Sequence, residues 1–144
     1  MQTDGDEPEL FSPEVLDRAG RLLRERLADG SVADDRRSFL EGVEQLGCGN
    51  LEEANASFRR AARSADPPFD AMARVARGEC ERLRGKLGLA IRQWRRVAED
   101  DRTAPAPRYM AWLSLAAVAE SRGDDQLLKT ARQAIATLEH SEQI

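Results

Sequence analysis

The amino-acid sequence predicts an all-α protein built as a right-handed stack of helical hairpins, with about seven helices. Three observations lead to this fold class. A motif repeats every 36 residues, apolar residues follow helical spacing in each segment, and no segment shows the alternation of a strand. Repeats of this length are typical of solenoids, in which each hairpin buries its apolar face against the next one.

The repeated motif combines small residues with one large aromatic residue. Its first copy is Gly42, Gly49, Ala54, Phe58 and Ala61, and its second copy is Gly78, Gly85, Ala90, Trp94 and Val97. A looser third copy consists of Ala116, Gly123, Leu127, Ala131 and Ala134. Small residues let two antiparallel helices approach closely, and an aromatic residue can fill the space between adjacent hairpins. The motif therefore predicts three stacked hairpins.

The predicted elements follow one another in a simple order. Residues 1–11 are expected to form a flexible acidic tail, and Ser12 and Pro13 then begin a capping helix over 12–30. Three hairpins occupy residues 31–140, at about 34–68, 69–106 and 107–140, and residues 141–144 form a C-terminal tail. The six helices of these hairpins are predicted over 34–47, 51–65, 69–83, 87–100, 107–121 and 125–139.

The repeat resembles the tetratricopeptide repeat, whose signature is W-x2-L-G-x2-Y followed by A-x3-F over about 34 residues. Three stretches carry the resemblance: Ala54-x3-Phe58, Ala90-x3-Trp94 and Trp112-x2-Leu115-Ala116. It covers residues 35–139 and implies a right-handed helical-hairpin solenoid. The departures are Ser38 and Arg74, where the family prefers tryptophan, and Gln45, Glu81 and Ala119, where it prefers tyrosine.

The resemblance also implies a peptide-binding groove, because the first helix of each hairpin lines the concave face in this family. The positions it selects are Arg36, Phe39, Val43 and Leu46, then Met72, Val75, Glu79 and Arg82, and then Met110, Leu113, Ala117 and Glu120. Their apolar character predicts an apolar or amphipathic protein segment as the ligand. The alternative is that the chain's own packing fills this groove.

Family members that bind the acidic C-terminus of heat-shock chaperones hold its carboxylates with lysine and asparagine. This sequence has other residues at those places, namely Phe39, Val43, Ala76, Met110 and Ser114. The resemblance therefore disfavours a co-chaperone of that kind.

The sequence offers little catalytic or metal chemistry. His140 is the only histidine and lies at the C-terminal tail, so we expect neither a histidine-based triad nor a multi-histidine metal site. Cys48 and Cys80 are the only cysteines, and with His140 they fall short of four zinc ligands. The run from Gly85 to Gly88 reads as a turn between helices rather than a phosphate-binding loop. We expect no enzymatic activity, no metal and no cofactor.

These observations predict a cytoplasmic adaptor or scaffold that binds another protein, with no targeting or membrane segment visible. Three alternatives stay open: a subunit or assembly factor of a larger complex, a chaperone similar to secretion chaperones, and a homodimer through Tyr109 and Trp112. Nucleic-acid binding through an arginine-rich convex face is disfavoured, because the net charge of −4 comes from the first ten residues and the rest of the chain is balanced. The arginines that would provide it are Arg59, Arg60, Arg63, Arg92, Arg95 and Arg96. In addition, Glu52, Glu53, Glu99 and Asp100 flank these arginines on the same helices.

Overall fold

The computed structural model describes residues 34–141, and this part of the chain is all-α, as predicted. Its six helices are α1 (Asp34–Gly47), α2 (Leu51–Ser64), α3 (Phe69–Leu83), α4 (Leu87–Ala98), α5 (Pro105–Arg122) and α6 (Asp125–His140). These six correspond to the six helices predicted for the three hairpins. The capping helix predicted over 12–30 lies outside the described residues, as do the acidic tail and residues 142–144.

The helix ends lie close to the predicted positions, and the largest differences flank the loop before α5. Helix α4 ends at Ala98 rather than at residue 100, and α5 begins at Pro105 rather than at residue 107. Pro105 occupies the first turn of α5 because its fixed φ suits a helix. An N–H in the first turn makes no hydrogen bond within the helix, so proline, which lacks this group, loses nothing there. Ala104 before it is extended, with ψ of 151°.

The same turn joins the two helices of each hairpin. Gly49, Gly85 and Gly123 have φ of 82°, 83° and 69°, which only glycine adopts without strain. The amide of the residue after each glycine donates to a carbonyl five residues earlier. These bonds run from Asn50 to Gln45 at 2.9 Å, from Lys86 to Glu81 at 2.8 Å and from Asp124 to Ala119 at 2.9 Å. This Schellman geometry explains the glycine of the repeat.

Glycine and aromatic residues of the repeat meet inside the first two hairpins. A Cβ atom added to Gly42 would lie 2.6 Å from Cε1 of Phe58, and one added to Gly78 would lie 2.8 Å from Cδ1 of Trp94. Both rings are almost fully buried. In the third hairpin the small, buried Ala131 takes the aromatic position, and there Ala116 replaces the glycine.

The helices pack in chain order. Each one contacts the next, and α1 also contacts α3, as α3 contacts α5, whereas α2, α4 and α6 make no contact with one another. Two apolar clusters fill the described part of the chain. One contains Phe39, Leu46 and Phe58, and the other Trp94, Leu115 and Leu127. Helix α3 contributes to both clusters, which places it at the centre of the stack.

Candidate protein-interaction surfaces

The residues predicted to line a groove lie on α1, α3 and α5, which contact one another in that order. Five of them are buried: Phe39, Val43 and Leu46 on α1, and Val75 and Glu79 on α3. Met72, Met110 and Leu113 are half-buried, and Arg36, Arg82, Ala117 and Glu120 are exposed. At three of the four corresponding positions accessibility increases from α1 to α5, and the exception is Arg36, which is more exposed than Met72 and Met110. The accessible apolar part of the predicted groove therefore lies on α3 and α5.

Phe39 belongs to the core of the first hairpin. Its ring centroid lies 5.9 Å from that of Phe58 and 5.6 Å from that of Phe69. The guanidinium carbon of Arg36 lies 5.0 Å from the Phe69 ring centroid, in cation–π geometry. A ligand could reach Phe39 only after these rings repacked.

Glu79 and Arg82 form a charged pair near the C-terminal end of the α3 face. The Arg82 Nε–H donates to Oε1 of Glu79 at 2.9 Å, and the Arg82 Nη2 donates to Oε2. The bidentate geometry compensates for the burial of Glu79, which is only 8% exposed. Arg82 remains partly accessible, so it presents a positive charge at the edge of the face.

Leu83 adds an apolar side chain that sequence analysis did not select. It is 47% exposed, and Leu89, beyond the turn at Gly85, is 40% exposed. Leu83 follows Met72 by eleven residues, which is three helical turns, so the two side chains share one face of α3. That spacing was the signal in the sequence. Together, Met72, Leu83, Met110, Leu113 and Ala117 make up what we call the α3–α5 surface.

A different kind of surface lies where α2 meets α3. Asn55 and Glu81 are buried, at 6% and 4% exposed, and Arg77 is half-buried. Asn55 Oδ1, Arg77 Nε and Glu81 Oε1 are all buried, and none has a hydrogen-bond partner. Arg74 Nη2 donates across the interface to the Ala62 carbonyl at 3.3 Å. In the antiparallel register that this bond indicates, Asn55 lies at the level of Glu81, and Arg77 lies one turn earlier on α3, at the level of Arg59.

The α2–α3 interface is also cationic. Burial, and then the neighbouring charges of Arg59 and Arg63, lower the pKa of Arg77, while Glu81 acts in the opposite direction. Glu81 also pairs with Arg84, because Nη1 of Arg84 lies 3.5 Å from Oε1 of Glu81. The single carboxylate therefore does not balance the surrounding guanidinium groups. Sequence analysis noted Glu81 as a departure but missed Arg77, which stands where the repeat signature has leucine.

The six arginines of the disfavoured nucleic-acid surface are all exposed. The 36-residue offset aligns Arg59 with Arg95 and Arg60 with Arg96, but it aligns Arg63 with Glu99 and Arg92 with Ala56. Arg95 pairs with that same Glu99 at 3.4 Å. Arg60 donates to Ser57 Oγ at 3.1 Å, and that hydroxyl donates to Gln45 on α1. The positions therefore do not line up into one continuous basic stripe.

Tyr109 and Trp112, the residues considered for a homodimer, make contacts within the chain. The Tyr109 hydroxyl donates to Oε2 of Glu139 at 3.1 Å, and burial together with this bond raises the pKa of Tyr109. Trp112 is buried in the second apolar cluster.

Cys80 is an inert core thiol. It is completely buried, and burial, followed by the charges of Glu79 and Glu81, raises its pKa to about 12. Cys48 is exposed, and neither cysteine forms a disulfide.

Within residues 34–141, no group of three or more metal-ligating side chains is assembled. None of the six described helices combines the length and the apolar character that a bilayer crossing requires.

No known protein family, no characterised protein and no solved structure matches this chain. The resemblance to tetratricopeptide repeats consequently stays a prediction from the repeat residues.

Proposed function

We propose that this chain is a non-catalytic protein-interaction module built as a right-handed, tetratricopeptide-like solenoid. The packing order supports the proposal, because the first helices of successive hairpins contact one another while the second helices do not. The identical turns at Gly49, Gly85 and Gly123 also support three equivalent hairpins. An array of this kind offers one face of adjacent first helices to a ligand.

The ligand that fits the α3–α5 surface best is an apolar or amphipathic segment of another protein. The observation that carries the proposal is the partial exposure of large apolar side chains on this face, with Leu83 the most exposed. Removing such side chains from water stabilises a complex by about 25 cal/mol per Å². Met72 and Met110 can adapt their conformations to differently shaped ligands.

Charges at the edge of the α3–α5 surface would orient the bound segment. Arg82 lies at the end of α3, and Glu120 lies near the end of α5, where it pairs at 4.0 Å with Arg132. Arg82 and Glu120 carry opposite charges on neighbouring helices. They favour a segment whose polar face has an acidic group next to Arg82 and a basic group next to Glu120. The segment would therefore bind as an amphipathic element with one preferred direction.

The Ala117→Arg variant tests this proposal. Ala117 is exposed on α5, so arginine places a large cation on the surface without displacing a core side chain, and both residues have high helix propensity. The matched control is Gln133→Arg, at an exposed position of α6. A photo-crosslinking amino acid at position 117 or 133 in the native host identifies proteins bound at each place.

We expect a specific protein to crosslink from position 117 but not from position 133. Ala117→Arg should then weaken its affinity by about tenfold or more, whereas Gln133→Arg should leave it unchanged. The same crosslinks from both positions, or equal affinity for both variants, would refute binding at the α3–α5 surface. A partner that co-purifies in equal amounts would indicate a stable subunit rather than an exchangeable adaptor.

A further inference from the structure

The polar residues between α2 and α3 have apolar counterparts elsewhere in the same chain. The repeat offsets of 36 and 38 residues align Asn55 with Ile91, Arg77 with Leu115 and Glu81 with Ala119. At the α4–α5 interface Leu115 and Ala119 are fully buried and Ile91 packs against them. The fold therefore accepts apolar side chains at all three of these positions.

Polar groups at the α2–α3 interface leave three buried atoms without hydrogen bonds. Among the described residues of α4 and α5, Trp112 Nε1 is the one buried side-chain atom that lacks a hydrogen bond. Buried polar atoms without partners destabilise a fold, and native proteins keep few of them. Departures from local rules of this kind concentrate at functional sites. Arg77 is only half-buried, so the accessible part of its side chain is a candidate for contact with a ligand.

The outer rim of this interface is formed by Arg59 and Arg63, which lie one turn apart on α2. Both are exposed, and neither makes a hydrogen bond or ion pair in the structure as described. Their charges act on Arg77. Side chains four residues apart on a helix lie about 6 Å from each other, which is a suitable spacing for two carboxylates of one peptide. The Arg59–Arg63–Arg77 surface is therefore rich in donors for anionic groups.

We propose that the Arg59–Arg63–Arg77 surface binds a short acidic segment of a partner protein, whose carboxylates accept hydrogen bonds from the three guanidinium groups. Planar guanidinium groups recognise carboxylates through paired N–H donors. The cationic area is confined to these three arginines, which suits a short anionic segment better than a long nucleic acid.

This surface is separate from the α3–α5 surface. Arg77 follows Met72 by five residues, so the two side chains point about 140° apart around α3. A partner could therefore contact both sides of the stack, or two partners could bind together. The acidic-segment proposal does not depend on the proposed ligand of the α3–α5 surface.

The test measures the binding of a fluorescein-labelled polyglutamate peptide to the full chain by fluorescence anisotropy, at about 0.15 M salt where distant charges are screened. The variant is Arg59→Ala/Arg63→Ala, and the control is Arg92→Ala/Arg96→Ala, which removes two exposed arginines from α4. All four positions are on the surface, so both variants should fold as the wild type does. We expect the first variant to bind at least about tenfold more weakly and the control to bind normally.

A second variant, Arg77→Leu, copies the residue found at Leu115. We expect it to lose peptide affinity while its unfolding midpoint does not fall, a combination that a purely structural arginine would not give. The proposal is overturned if polyglutamate does not bind, or if the two double variants lose affinity equally. It is also overturned if a single-stranded oligonucleotide of equal formal charge binds more tightly than the peptide.

Discussion

The two interfaces that join successive hairpins occupy equivalent places in the stack but differ in chemistry. In both, an arginine of the later hairpin donates to a carbonyl near the end of the earlier one: Arg74 to Ala62 at 3.3 Å and Arg108 to Ala98 at 3.2 Å. The α4–α5 interface, between the second and third hairpins, buries Leu115. The α2–α3 interface, between the first and second hairpins, has Arg77 at the corresponding position. The comparison indicates that interfaces at equivalent places in the repeat can be either apolar or polar.

The most damaging substitution should be the one that makes the apolar interface resemble the polar one. Leu115→Arg places a charge in the centre of the second cluster, where no carboxylate lies on the corresponding side of α5, because Ala119 stands where α3 has Glu81. We expect a loss of about 4 kcal/mol or more in the free energy of unfolding, measured by urea denaturation. Leu115→Met is the control and should lose less than about 1.5 kcal/mol. A small effect of Leu115→Arg would mean that both interfaces tolerate charge equally.

The contact between glycine and the aromatic ring should contribute similarly to stability in the first and second hairpins. Gly78→Ala forces a Cβ atom into the indole ring of Trp94, whose Nε1–H donates to the Val75 carbonyl at 3.0 Å. We expect a loss of about 1–3 kcal/mol, measured by thermal or chemical unfolding, and a similar loss for Gly42→Ala against Phe58.

Gly88 provides the control for these glycine substitutions. It lies in α4, and nothing surrounds the place where its Cβ would be. Gly88→Ala should therefore raise the free energy of unfolding by about 0.5–1 kcal/mol through helix propensity. A destabilising Gly88→Ala, or a neutral Gly78→Ala, would contradict the contact between glycine and the aromatic ring.

The reverse exchange should stabilise the polar interface. Arg77→Leu removes a half-buried cation whose Nε has no acceptor and whose nearest cations are Arg59 and Arg63. We expect the free energy of unfolding to rise by about 1–2 kcal/mol, because apolar replacements of buried charges are often stabilising. Arg92→Leu, at an exposed site of α4, should change it by less than about 0.5 kcal/mol. A strongly destabilised Arg77→Leu protein would show that the arginine has a structural role.

Much of the described fold could be predicted from the sequence because local signals agree with the packing. Glycines at three equivalent positions need positive φ, and Phe58 and Trp94 need a small partner on the facing helix. These requirements are visible in the sequence as glycines and aromatic residues that recur after 36 residues. The helix boundaries follow from them to within about two residues.

The candidate surfaces were harder to predict because the accessibility of a residue depends on distant parts of the chain. Phe39, Val43 and Ala117 occupy comparable positions of their helices, yet the first two are buried and the third is exposed. Periodicity identifies the face on which a residue lies but not how much of that face is covered. Arg77 was missed for a related reason, since an arginine within a helix normally points to solvent.

The smallest effect we predict concerns pH, and it arises in the same region of α3. Cys80 is buried beside Glu79 and Glu81, which helps to raise its pKa from 9.0 to about 12. At the corresponding place, α5 has the apolar Val118. Above pH 9 the unfolded chain loses the thiol proton while the folded chain keeps it. The stability contributed by the protonated thiol is therefore complete below pH 9 and decreases as the pH rises towards 12.

We expect the free energy of unfolding to fall by about 1 kcal/mol between pH 9 and pH 10 from this thiol, as measured by urea denaturation at each pH. Cys80→Val should remove this part of the decrease, because valine has no proton to lose. Cys48→Ser, at the exposed cysteine, should keep it. Equal pH profiles for the wild type and Cys80→Val would show that the thiol ionises as easily in the folded chain as in the unfolded one. The carboxylates and the burial around α3 would then have no electrostatic effect on the thiol, and the polarity contrast between the two interfaces would not extend to Cys80.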